Sequence, residues 1–348
     1  MVVNYIRFGS SKNLQLKLLN FNYSWGFRRH LHIAENVRHA LEHKKKPVIS
    51  LESTIITHGL PYPENLHMVR EVEGLITKNG GVPATCGFVH GEPFVGLSSE
   101  QIHYLAEESA KQKLNKVSRR DIGYTMTNKL NGGTTIALTM ILSHMAGIKI
   151  FATGGLGGVH KEAQDTMDIS ADLRELGRTP VSVVCAGPKS ILDIGLTMEY
   201  LETEGVFVGT YNDQTKLPVQ IPGFYCRESG ILSPYEFTSF QEAASIIYNQ
   251  NTLMKLKSGN VFCVPPPRLV ELSSLFINDT IQEASLEART KQIRGKEITP
   301  FLLGAIAKNT GGKSVECNIR FVINNAIFAT NIAKELLKLE TSDEVVSI

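Results

Sequence analysis

Cysteine is scarce: five in 348 residues, scattered as Cys86, Cys185, Cys226, Cys263 and Cys317, with no CxxC pair. That pattern speaks against a zinc site or a disulfide framework and for a reducing compartment. Cys185 and Cys263 sit inside apolar runs, as small buried core residues do. No apolar run reaches the ~18 residues that a membrane span requires. A soluble chain with no membrane partner is expected. An excess of one charge is missing too: 36 Lys and Arg against 34 Asp and Glu leave a formal net charge of +2. So small a field holds neither nucleic acid nor a membrane surface strongly. Hydrophobic residues at 42% and charged residues at 20% are ordinary for a globular protein with a real core.

Acidic residues are absent from residues 1–34, which carry Arg7, Lys12, Lys17, Arg28 and Arg29 among Leu, Phe, Tyr and Trp. A basic, acid-free, amphipathic leader without a continuous apolar stretch is the pattern of a mitochondrial targeting peptide. A basic tail with no address is the alternative, and the cytoplasm the alternative location. Residues 1–46, up to the run Lys44-Lys45-Lys46, are read as this leader, and one domain over 47–340 follows.

Beyond the lysines, strand and helix patterns alternate. PVISL (47–51) is a short apolar run ending in polar residues, as a buried strand does. Met68, Val69, Val72, Leu75 and Ile76 recur at helical spacing over 64–79, closed by Gly80-Gly81. Residues 82–97 predict a hairpin turning near His90-Gly91, and Ser98 with Gln101 a capping box. Gly132-Gly133-Thr134-Thr135 leads into an apolar helix ending near Ala146-Gly147. IKIFA (148–152), VSVVC (181–185) and VFVGT (206–210) are further strands, 190–202 a helix, and Ser170 caps a short one. Residues 211–235 are loop-like; helices dominate from Ser239 onward, apart from the apolar run 261–264. The alternation predicts an α/β fold: a mostly parallel central sheet flanked by helices on both faces, with additional C-terminal helices.

In an open α/β sheet, reactive groups gather where strands end and loops begin. Glu52 follows PVISL, Asp168 and Asp172 follow the glycine-rich TGGLGGVH (153–160), and Lys189 follows VSVVCAG. A lysine just past a buried strand can be desolvated, and desolvation favours the neutral amine that attacks a carbonyl. Taken alone, the spacing does not separate this lysine from a solvated one opening a surface helix.

Six strings resemble the pseudouridine-5'-phosphate glycosidase family in the family's own order. They are LESTIITHGLPYPEN (51–65), KVSRRD (116–121), NGGTTIALTM (131–140), FATGGLGGVH (151–160), the run from DISAD to YLET (168–203) and CNIRFVINNA (317–326). The resemblance runs from about Pro47 to about Leu337. It implies an enzyme of the lyase class with glycosidase activity, which reversibly breaks the C–C link of pseudouridine 5'-phosphate to give uracil and ribose 5-phosphate. Residue by residue, it implies Lys189 as the nucleophile that forms an imine with the anomeric carbon, and Glu52 as the proton donor. It implies Asp168 as ligand of a divalent metal, Mn²⁺ foremost with Mg²⁺ as the alternative. Lys116, Ile136, Ser170, Ala171, Asp172 and Asn318 are implied as substrate contacts, and a homotrimer as the assembly. The string after KVSRRD departs from the family at Ile122-Gly123-Tyr124, as does Arg320, and neither touches these residues.

Chemistry agrees with the resemblance. Uracil leaving through carbon is a poor leaving group, and forming an iminium at the anomeric carbon eases the breaking of that bond. Glu52 must then be protonated near neutral pH, which burial arranges. A single Asp with waters suits a hard ion better than zinc, and GGTT opening a helix offers backbone N–H groups to phosphate. His160 is read either as a core or as a site-supporting histidine. Rival readings are a Schiff-base aldolase for another sugar phosphate, a catalytically dead binding protein, and a P-loop at AKNTGGKS (307–314). The last requires a preceding strand, whereas PFLLGAIAK looks helical.

Overall fold

The computed structural model describes residues 30–111, 114–213, 218–268, 272–293 and 295–346. Strands are β1 His32–Ile33, β2 Val48–Leu51, β3 Val82–Val89, β4 Glu92–Val95, β5 Asn115–Val117, β6 Gly132–Thr134 and β7 Ile150–Ala152, then β8 Val159–His160, β9 Ser182–Cys185, β10 Leu192–Asp193, β11 Phe207–Tyr211, β12 Tyr235–Phe237 and β13 Asn260–Cys263. The helices used below are α1 Glu35–His43, α2 Glu64–Lys78, α3 Ser99–Lys111, α4 Ile136–Ala146, α5 Ala171–Leu176, α6 Ile194–Thr203, α7 Phe240–Ile247, α8 Ser274–Thr290, α9 Ile298–Asn309 and α10 Lys313–Val346.

The main sheet runs β1-β4-β3-β2-β7-β9-β13-β11-β12, with β6 on β3 and β5 on β6. From β3 to β12 every pairing along this path is parallel. Each central strand is apolar on both sides because both faces are covered. Ile150, Ala152, Val184 and Phe262 point into a core shared with α2, α7 and α10. Their alternating neighbours Phe151, Val183, Cys185, Val261 and Cys263 point into a second core with α4, α5 and α6. A period of two along the strand therefore feeds two cores, and the predicted α/β/α architecture with extra C-terminal helices is the observed one.

Local signals did much of the placing. His90 and Gly91 take positive φ (51° and 79°) and turn β3 into the antiparallel β4. The Ser98 backbone N–H donates to Gln101 Oε1 (2.8 Å) and the Gln101 N–H to Ser98 Oγ (3.2 Å), closing the capping box ahead of α3. Thr135 and Ser170 cap α4 and α5 with their side chains.

Two expectations need correction. The helix expected from Ser190 begins at Ile194, because Leu192 and Asp193 first pair with β8 and Asp193 then caps α6. The folded part also starts before Pro47. Here β1 pairs in parallel with β4, and α1 buries Val37 and Ala40 in a core that includes Phe88 and Leu138. Of the expected leader, residues 1–29 lie outside the described residues. AKNTGGKS spans the end of α9, a turn and the start of α10, with no strand before it, so the P-loop reading fails.

Phe88 is fully buried at the centre of the core that ties α1 to the sheet. Phe88→Ala is expected to cost about 3–5 kcal/mol, measured as a lowered urea midpoint with an unchanged slope.

Candidate active site

The parallel strands deliver three loops to one edge of the sheet. Glu52 follows β2, Thr153-Gly154-Gly155 follow β7, and Gly187 to Lys189 follow β9. Since β7 lies between β2 and β9 in register, Leu51 against Ala152 and Ala152 against Val184, the residues just past these strands meet. They open on a cavity of about 470 Å³. Glu52, Lys116, Ile136, Asp168, Ser170, Ala171, Asp172, Lys189 and Asn318 all line it. Every residue singled out from the sequence is therefore brought to one place.

Lys189 Nζ donates to the Gly155 carbonyl (2.7 Å). Glu52 Oε1 accepts a short hydrogen bond from the Thr153 hydroxyl. Although its edge faces the cavity, the Glu52 carboxyl lies deep, and this burial pushes it above the usual carboxylate range. Lys189 and the Thr153 hydroxyl oppose the rise, Asp172 adds to it, and Lys116 opposes it. Burial is the larger effect because it penalises the anion directly, whereas each neighbour offsets only part of it.

Asp172 sits in the first turn of α5 and is 7% exposed. Its Oδ1 accepts from the Ala137 N–H (3.0 Å) and its Oδ2 from the Gly157 N–H (3.2 Å). It thus bolts the start of α4 to the glycine loop. Glycine is needed at 157: a Cβ there would lie 2.3 Å from Ser170 Oγ and 2.4 Å from Asp172 Oδ2. Gly154 is constrained similarly, since a Cβ would stand 2.7 Å from Asn318 Oδ1. Lys116, on β5, is pushed below its ordinary value by burial and by Lys189, against the pull of Asp172 and Glu52.

Asp168 Oδ2 is buried with no hydrogen-bond partner among the described residues. The His160 N–H donates to the Asp168 carbonyl (3.0 Å), which sets the histidine beside the carboxyl. Burial holds the imidazole below its ordinary value, against the nearby Asp168. Among the described residues no three His, Cys, Asp or Glu side chains converge as a closed metal site. The arrangement instead leaves one buried carboxylate oxygen of this cavity-lining residue unpaired.

The model of the family described as "Indigoidine synthase A like protein" matches residues 36–335. A pseudouridine-5'-phosphate glycosidase of Clostridium botulinum is 46% identical over 311 residues, covering 89% of this chain and 98% of its own. The Escherichia coli protein of the same name is 47% identical over 312 residues, covering 89% and 96%. The chain belongs to this family. Among solved structures, the prealnumycin C-glycosynthase AlnA, in complex with ribulose 5-phosphate, superposes with a TM-score of 0.80 at 29% identity. That match covers 90% of this chain and 98% of the other. An indigoidine synthase A-like protein of Thermotoga maritima gives a TM-score of 0.78 at 28% identity, covering 88% and 96%. The resemblance of the six strings is thereby borne out, and the chain is an enzyme of this class.

Sequence reasoning passed over three contributors. Thr153 was visible only as the first letter of a glycine string. Asn325, fully buried on α10, donates to the Thr153 carbonyl (2.7 Å) and the Gly154 carbonyl (3.2 Å). Its distance of 172 positions from Thr153 hides it from any local pattern. The third is the π-helical turn Ile55–Gly59, which brings His58 to the cavity wall. The segment LESTIITHG carried a hint, for its apolar pattern fits neither strand nor regular helix.

Arg119 reaches from the loop after β5 to grip the buried Glu175 of α5 with two 2.7 Å bonds, and Arg178 adds a second partner at 3.0 Å. Burial pushes Glu175 upward, but the bonds from Arg119, Thr179 and Arg178 win and hold it below the usual range. A depressed folded value means stability that is present above the unfolded value of about 4.3 and lost as pH falls through the folded value. Glu175→Gln is therefore expected to weaken the protein at neutral pH. It should also flatten the fall of urea midpoint between about pH 6 and about pH 3.

Proposed function

We propose that this chain catalyses the reversible cleavage of the C–C glycosidic bond of pseudouridine 5'-phosphate to uracil and ribose 5-phosphate. The observation that carries the reading is the convergence of Lys189 and Glu52 on one cavity together with Lys116, Asp172 and Asn318. The names of the curated relatives support it. The solved relative whose title pairs a C-glycosynthase with ribulose 5-phosphate supports C-glycoside chemistry on a pentose phosphate. A lyase for another sugar phosphate would use the same lysine, and remains the second reading on that observation alone.

Chemistry follows from the groups present. The Lys189 amine bonds to the anomeric carbon while the ring oxygen leaves with its bonding pair and takes the proton of Glu52. The bonded nitrogen, now an ammonium, returns a proton to the Glu52 carboxylate, and its lone pair then closes a C=N bond at the anomeric carbon. The pair of the C–C bond passes to the uracil ring, which takes up a proton and departs. Water adds to the iminium, releases ribose 5-phosphate and returns the free lysine. Burial equips Glu52 for its step, since an acid raised above the usual carboxylate range still carries its proton nearer neutral pH. Activity that depends on protonated Glu52 accordingly falls as pH rises through that raised value. Lys116 suits the phosphate, and Asn318 with Ile136 the remaining substrate surface.

The unpaired Asp168 oxygen fits a hard divalent ion with water completing its shell, Mn²⁺ before Mg²⁺. Such an ion would supply charge neutralisation near the phosphate. The family resemblance supports a homotrimer, and the acid-free basic segment 1–34 supports a mitochondrial location.

Two measurements test the reading. Uracil release from pseudouridine 5'-phosphate, followed with borohydride trapping, should yield a covalent adduct on the wild type and neither product nor adduct on Lys189→Ala. Wild-type turnover by Lys189→Ala would overturn the imine. Asp168→Asn should raise the Mn²⁺ concentration needed for half-maximal activity by about tenfold or more, with the unfolding midpoint in metal-free buffer unchanged.

A further inference from the structure

Two catalytic groups on separate strands share one short support. Thr153 is 2% exposed, and its backbone is held on both sides. Its N–H donates to the Val184 carbonyl of β9 (3.0 Å), and its carbonyl accepts from Asn325 Nδ2 (2.7 Å). Its hydroxyl donates to Glu52 Oε1. Two residues on, the Gly155 carbonyl accepts from Lys189 Nζ. The loop 153–155 thus grips the acid by one oxygen and the amine by one hydrogen, and α10 grips the loop.

A carboxyl oxygen that accepts from a hydroxyl keeps that bond whether the group is charged or neutral, while the acid proton goes to the other oxygen. We infer that Thr153 is a positioning residue, committing Glu52 Oε1 so that Oε2 alone carries the proton delivered to the ribose ring oxygen. This inference rests on the reaction proposed above and adds to it the geometry of proton delivery. As the ring C–O bond opens, its electron pair and the Oε2 proton both end on the ring oxygen. The carboxylate left behind keeps the Thr153 bond, which stabilises the charge just formed. The bond is therefore stronger after proton transfer than before it, which is how a positioning contact accelerates a step.

The shape of the residue supports the assignment. Valine would fill the same space among Glu52, Val184 and Asn325 and lose only the donor, whereas serine would keep the donor. Both variants are made in the full chain. Thr153→Val is expected to lower kcat about tenfold to a hundredfold with KM within about threefold. It should also move the alkaline limb of kcat upward by about one pH unit, because the anion loses a donor. Thr153→Ser should restore both. Infrared difference spectra of each variant against its Glu52→Gln partner report the carboxyl titration directly, without turnover. An inert wild type whose Glu52 titration still moves in Thr153→Val sinks the proposed reaction and keeps the contact. An active wild type with kcat, limb and titration unmoved in Thr153→Val overturns the positioning role. So does a Thr153→Ser variant that behaves like the valine one.

Discussion

The site depends on one constraint, the parallel pairing of β7 between β2 and β9. Because the three strands run the same way and in register, their C-terminal ends lie side by side. Each then hands its next residues to the same cavity. Reverse any one of them and Glu52, the glycine loop or Lys189 would emerge at the opposite edge. The same pairing explains the apolar strands, since covering both faces with helices leaves no polar side to a strand. Scaffold and site thus share a single cause.

Around that edge the chain accepts a costly electrostatic arrangement. Glu52, Lys116, Asp172 and Lys189 influence one another inside one cavity. Burial penalises the charged forms of Glu52 and Lys116, and opposite charges offset part of the penalty. The outcome differs by residue. Glu52 rises because burial outweighs its cationic neighbours. Glu175, buried one turn beyond Asp172, falls because three donors grip its two oxygens. Two carboxyls in adjoining surroundings are therefore tuned in opposite directions, one toward carrying a proton and one toward holding the fold.

Long-range clamps give the cavity its precision. Asn325 from α10 holds the glycine loop, and Asp172 from α5 joins that loop to α4. Arg119 in turn holds α5. Loops bear the reactive groups, yet each loop is tied to a helix in a different part of the chain, which limits how far any of them drifts. The glycines at 154 and 157 belong to the same logic, because a side chain there would occupy the space of Asn318 or Asp172.

Much of this could be read along the chain, where the physical signal is local. Strand ends, the His90-Gly91 turn, the Ser98–Gln101 box and the cap of Thr135 each depend on residues a few positions apart. The candidate groups Glu52, Asp168, Asp172 and Lys189 were legible because reactive groups in α/β folds follow strands, and the six strings carried the rest. Other features had no local signal. The pairing of β1 with β4, the start of α6 at Ile194 and the grip of Asn325 on Thr153 arise between residues 32 to 172 positions apart. Sequence determined which residues carry donors, acceptors and charge, and which runs extend or coil. Tertiary structure alone decided which of them meet and which oxygen of Glu52 is held. It also decided the direction in which each buried carboxyl is pushed, because burial and charge depend on distance in space and not on distance along the chain.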